Sequence, residues 1–198
     1  PLLGALTPND VVIVGTLELH PEDQYKQLDE YKKQGALIIV FGSKQSMIAP
    51  LADHFIDNGL AAGIVPVMKI GTETIGPIAG IANVVNMWAF SAEYVAAVTR
   101  QGQMPTLWQS MFVPGAAERN EHIGEYMFHP DMRIMPVEKG LLGSQYITTV
   151  KSYLDQIRTN ELGKFKEAGT LLAGVRSGGN KIVAGIIGHF MTSQRRMP

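Results

Sequence analysis

The 198-residue chain is 45% hydrophobic and carries 17 basic against 18 acidic residues. That is ample for a folded core, with no charge excess to draw nucleic acid or an anionic membrane. It has no cysteine, so disulfides and thiolate chemistry are excluded; without a basic stretch leading into an apolar one at its start, a cytoplasmic setting is expected.

Asp10–Thr16, "DVVIVGT", is a β-branched run ending in glycine, the pattern of a strand covered on both faces. "PEDQYKQLDEYKKQG" predicts a helix, with Pro21 in its first turn, acids after it, lysines late and Gly35 as the stop. Ala36–Ser43, "ALIIVFGS", is a second buried strand, followed by a short helical or irregular passage. "HFIDNG" and "AGIVPVMKIG" read as two more short strands, with turns at Asn58-Gly59 and Gly71. Strand, helix, strand in this order dictates a right-handed parallel crossover and an α/β sheet.

No charge falls between Glu73 and Glu93, about the length of a bilayer span. Gly76, Pro77, Gly80, Asn83 and Asn86 argue against a lipid-facing helix. The segment from about Pro77 to Gln101, with Trp88, is read as the buried helix of an α/β protein. An extended passage with Trp108, a short helix and a proline-punctuated connection come next. Ile147, Val150, Tyr153, Leu154 and Ile157 then keep the i, i+3, i+4 spacing of an amphipathic helix. A break near Gly163 starts a second helix, which Gly178-Gly179 ends before a closing strand and glycine-histidine turn in "KIVAGIIGHF". The scattered methionines read as core fillers.

The "ADxxxDNG" turn at Ala52–Gly59, the helix of small residues, "G-x-x-P-x-x-x-x-S" at Gly102–Ser110 and "PG…N" at Pro114–Asn120 carry a family resemblance. In order and spacing they resemble the later half of sugar isomerase (SIS) domains, in their phosphoheptose-isomerase-like branch. "PNDVVIVGT…YKKQGALIIVFGS" is similar to that domain's second strand, helix and third strand. From about Tyr146 onward the chain resembles instead the domain's opening helices, first strand and first ligand loop. Family members commonly read G-x-G-H-S at that loop; here it is Ile186-Ile187-Gly188-His189-Phe190.

The resemblance implies an α/β three-layer sandwich with a mostly parallel sheet, flavodoxin-like or Rossmann-like, in rotated or truncated order. Residues 1–140 stand for the later part of the domain. Residues 141–198 stand for its opening, completing the same sheet or starting a second domain. The chain is therefore expected to span a junction of tandem domains or to be a permuted domain.

SIS domains bind phosphosugars through hydroxyls and backbone N–H groups at loops that begin helices, where exposed amides favour an anion. The resemblance thus nominates Thr16, Ser43, Lys44, Ser46, His189, Thr192 and Ser193 as ligand-binding residues. Where the family carries a hydroxyl loop after its strand, this chain has "GTLELHPEDQ". Glu18, Glu22 and Asp23 there bring negative charge to the place of a phosphate, although acids around Pro21 also suit a helix start. Aldose–ketose isomerisation needs a base and an acid at adjacent carbons. His20, Glu73 and His122 are available, and Glu18 and His189 stand as the catalytic candidates, in no motif that singles them out. His54, beside Asp53, reads as structural. No metal or cofactor is expected, since no ligand spacing of known type occurs. The expected function is binding of a sugar phosphate or related carbohydrate derivative, with phosphosugar isomerisation, in a homo-oligomer. The alternative is a non-catalytic SIS-like regulatory or assembly module with a degenerate site.

Overall fold

The computed structural model describes residues 6–183 apart from Leu19, Ile64 and Asp131. In chain order the elements are β1 (Val11–Gly15), α1 (Pro21–Lys33), β2 (Leu37–Gly42), a short 3-10 turn (Ala49–Leu51), β3 (His54–Asp57), β4 (Pro66–Ile70), β5 (Glu73–Pro77), α2 (Ala79–Thr99), α3 (Ala116–Glu121), α4 (Leu141–Asn160) and α5 (Leu162–Ser177). The fold is mixed α/β. β1, β2 and β3 form a parallel sheet in that order, with Val12 beside Ile38 and Val40 beside Phe55.

β2 is its centre because its apolar, β-branched and aromatic residues have neighbours on both sides and both faces; Ile38 and Val40 are wholly buried. On one face Val12, Ile38 and Val40 pack with Leu28 of α1 and with Ile48 and Leu51. On the other, Phe41 meets Phe90 of α2 edge to face at 5.4 Å. Each such buried side chain stabilises the fold by roughly 1.5–3 kcal/mol. Asp53 ties the crossover: its carboxylate accepts from Ile38 N (2.8 Å) and Lys32 Nζ (3.4 Å), while its own N–H donates to Ile38 O (2.9 Å).

Three expectations need correction. Among the described residues β1 stands at the sheet edge, and Val11 and Ile13 are each 53% exposed; a β-branched run specifies a strand but not how many neighbours it has. α2 is not a buried helix. Its buried residues are Ala79, Asn83, Ala96, Val98 and Thr99, and Trp88 is 52% exposed, because the sheet covers only one side of it. β4 does not join the parallel sheet. It pairs antiparallel with β5 about a turn at Gly71, and β5 occupies a segment to which no strand was assigned from sequence. Of the expected closing strand only Lys181–Val183 are described, and these are exposed and outside any strand. Residues 184–198 lie outside the described residues.

After α2 the chain is pinned back to it. Val137 N donates to Thr99 Oγ1 (3.1 Å), and Arg100 donates to Val137 O (2.9 Å). The Glu93 carboxylate accepts from Gly140 N and Gly143 N, both at 2.8 Å, at the start of α4. The chain divides into two compact units between Ile147 and Thr148. In the second unit every residue from Lys151 to Asn160 is exposed, and α5 has no buried residue. No described helix is long and apolar enough to cross a membrane.

Candidate functional site

Open parallel sheets place ligands beyond the carboxyl ends of their strands. Here those ends deliver Thr16 after β1, Ser43 after β2 and Asn58 after β3. Thr16, Ser43 and Ser46 are buried, at 3%, 5% and 4% exposure. Three of the residues nominated from sequence thus stand at the carboxyl edge.

Their hydroxyls are already engaged. Thr16 Oγ1 donates to Gln24 Oε1 (2.7 Å) and accepts from Glu18 N (3.0 Å). Ser43 Oγ donates to Leu60 O (2.7 Å) and accepts from Gln45 N (3.1 Å). Ser46 Oγ accepts from Ile48 N (3.3 Å). The backbone amides of the loop after β2 are engaged too. Lys44 N donates to Asp57 Oδ1 (3.2 Å) and Met47 N to Glu18 Oε1 (2.9 Å). Ser46 N and Ala49 N donate to the carbonyls of Ser43 and Ser46. Every amide from Lys44 to Ala49 therefore has an acceptor inside the chain, and two of those acceptors are carboxylates.

Glu18 is the decisive residue of this arrangement. Its backbone takes the left-handed conformation, φ +55°, which costs a non-glycine residue roughly 1–2 kcal/mol. From there its carboxylate reaches the Met47 amide in the loop after β2. A phosphate brought within about 4 Å of it would meet a repulsion of about 4 kcal/mol at an effective dielectric near 20. Glu22 and Asp23, by contrast, sit in the first turn of α1, where carboxylates complement the helix dipole. Lys44 offers little compensation: its ammonium is largely exposed and stands 3.9 Å from Asp57 Oδ2.

Sequence reasoning missed Asn83, Asn58, Asp57 and Gln24. Asn83, 8% exposed, donates from Nδ2 to Thr16 O (2.8 Å) and accepts at Oδ1 from Asn58 Nδ2 (3.0 Å). Asn86 Nδ2 donates to Asp57 O (3.2 Å). The available signal was two asparagines three apart in an otherwise apolar helix, which put both on one side of it. Beside this network lies a groove of about 340 Å³ lined by Ile13, Leu17, Phe41, Val84 and Met87, with Asn83 as its polar member. Its walls suit apolar contact rather than a sugar's hydroxyls.

Among the described residues the remaining candidates show no acid–base hydrogen bond at the carboxyl edge, and His20 stands immediately before α1. His122 hydrogen-bonds Glu125 (2.9 Å) and stacks near Tyr126. The Glu125 hydrogen bond raises the imidazole pKa above its usual value. His54 lies on β3 opposite Ile39, and Glu73 opens β5 opposite Ile70. His189, Thr192 and Ser193 lie outside the described residues. Among the described residues no group of three or more His, Asp or Glu could hold a metal ion. No protein-family model and no curated protein matches the chain.

Proposed function

We propose that the chain is a non-catalytic SIS-like module with a degenerate ligand site, serving assembly rather than phosphosugar isomerisation. The observation that carries this reading is the seating of two of the chain's own carboxylates, Glu18 and Asp57, on the loop amides of Met47 and Lys44. Isomerisation needs a free base beside a bound sugar, and Glu18 is committed to a backbone amide. The SIS-type three-layer arrangement belongs to the same proposal, supported by the parallel order of β1, β2 and β3 and by helices packed on both sheet faces.

Thermal-shift measurements against sugar phosphates and unphosphorylated sugars test it, because a ligand of the native state alone raises stability. The expected result is no saturable shift with any sugar phosphate. A saturable shift that disappears in Ser43→Ala and Ser46→Ala would sink the degenerate-site reading. One observation favours the second reading, a phosphosugar binder: the buried hydroxyls of Thr16, Ser43 and Ser46 gather at the carboxyl edge. That reading requires the wild-type chain itself to give the shift.

A further inference from the structure

Asn58-Gly59 is the one Asn-Gly step in the chain. It follows β3 at the carboxyl edge, where Asn58 N donates to Gly42 O (2.8 Å). An asparagine side-chain carbonyl lies within reach of the next residue's N–H, and glycine puts no side chain in the way of ring closure. Gly59 takes φ +73°, and even an added Cβ would meet nothing within 4 Å, so that approach is open. The Gly59 N–H donates to Asp57 Oδ1 (3.1 Å), an acceptor aligned with the proton that must leave. Asn58 Oδ1 accepts from Leu60 N (3.0 Å), a donor set where negative charge develops when Cγ is attacked. Gly59 is exposed and Asn58 half-buried, so water reaches the turn. One contact opposes the reaction. Asn58 Nδ2 is held by Asn83 Oδ1 (3.0 Å), which restrains the leaving nitrogen and offers it no proton.

We propose that Asn58 is a site of spontaneous deamidation, latched by Asn83, and that its conversion unlocks the carboxyl edge. Gly59 N loses its proton and bonds to Asn58 Cγ; the Cγ–Nδ2 bond breaks, and ammonia leaves with that proton. Water then opens the cyclic imide at either carbonyl. Opening at Cγ leaves aspartate, and opening at the main-chain carbonyl leaves isoaspartate, whose main chain is longer by a methylene. The aspartate sets a carboxylate oxygen against Asn83 Oδ1, acceptor against acceptor. Asn83 has to turn its amide away, and Thr16 O, which Asn83 Nδ2 holds at 2.8 Å, loses its donor. The isoaspartate displaces the chain just after Asp57, whose carboxylate holds Lys44 N. One slow conversion thus breaks the ties between β1, β3 and α2. The inference concerns the chain's own atoms and stands apart from the assembly reading.

The test follows the full chain by peptide-mapping mass spectrometry during prolonged incubation in mildly alkaline buffer, which favours loss of the Gly59 proton. In the wild type the amide-to-acid mass gain should come first at Asn58, ahead of every other asparagine, as both aspartate and isoaspartate. Asn83→Ala should convert about tenfold faster, roughly what one hydrogen bond to the leaving group is worth in a rate. Leu28→Ala is the control for unfolding: it empties a core position only 3% exposed and leaves the Asn58–Asn83 bond in place, so its rate should match the wild type. Asn58→Asp, the product made directly, should lower the urea midpoint. A wild type that gains no mass at Asn58, or gains it no sooner than elsewhere, overturns the site. An Asn83→Ala rate equal to the wild type's overturns the latch, and an equal acceleration in Leu28→Ala shows that the reaction runs through the unfolded chain and overturns the native-state mechanism. An unchanged midpoint in Asn58→Asp overturns the unlocking. The wild-type and Asn58→Asp measurements decide the proposal even if the Asn83 and Leu28 variants fail to fold.

Discussion

Asn83→Ala removes a side chain that serves β1, β3 and α2 at once. The wild-type amide donates to Thr16 O at 2.8 Å and accepts from Asn58 Nδ2 at 3.0 Å, in a position only 8% exposed. Alanine leaves the Thr16 carbonyl and the Asn58 amide without these partners, and a buried polar group left unpaired costs about 1–3 kcal/mol. Because the Asn58 bond is part-buried, it falls at the low end, and the sum is about 2–4 kcal/mol. Against a typical stability of roughly 5–15 kcal/mol, such a loss is easily measured. Asn86→Ala is the control: its single bond to Asp57 O is longer, 3.2 Å, and exposed, so its loss should cost about 0.5 kcal/mol. In urea unfolding Asn83→Ala should lower the midpoint without changing the slope. A cost below about 1 kcal/mol, or one equal to that of Asn86→Ala, would refute the reasoning that this edge is locked.

Other outcomes follow from local geometry. A Cβ at Gly42 would stand 2.7 Å from Thr16 Cγ2, whereas Gly15 has open space. Gly42→Ala should therefore cost about 1–3 kcal/mol and Gly15→Ala far less; equal midpoints in urea would contradict this. The Ile38 N–H, then Lys32, hold the Asp53 carboxyl below its usual pKa. Its stabilisation is thus complete above about pH 4 and is lost as pH falls through the lowered pKa. The stability gap between wild type and Asp53→Asn should be widest near neutrality and close in acid, and a gap independent of pH refutes it. His122 runs the other way: its pairing with Glu125 stabilises below the usual imidazole pKa of about 6.5 and fades as pH rises through the raised value. Glu125→Gln should lower the NMR titration midpoint of His122; an unmoved midpoint rejects the pairing.

The parallel crossover was legible in the sequence because its signals are local. The runs around Ile13 and Ile39 announce strands, and Pro21 and Gly35 bracket the helix between them. What was not legible is set by distance along the chain. β1 looks like an inner strand, and only the assembled sheet of the described residues leaves Ile13 at an edge. α2 looks buried because it is apolar, yet apolar composition cannot say which side meets Phe41. The candidate hydroxyls were found from their place after strands, but their partners were not, since Thr16 and Asn83 are 67 residues apart. The negative charge of Glu18 was legible in the sequence. Its consequence was hidden because Glu18 acts not in its own segment but on Met47, 29 residues away.

The central claim is that the loop after β2 has no amide to give an anion, because Glu18 and Asp57 hold Met47 N and Lys44 N. The most direct measurement follows the backbone amide NMR signals of Met47 and Lys44 during titration with sugar phosphates. The account predicts that neither signal moves saturably in the wild-type chain. A saturable downfield shift of either amide on adding a sugar phosphate would contradict it.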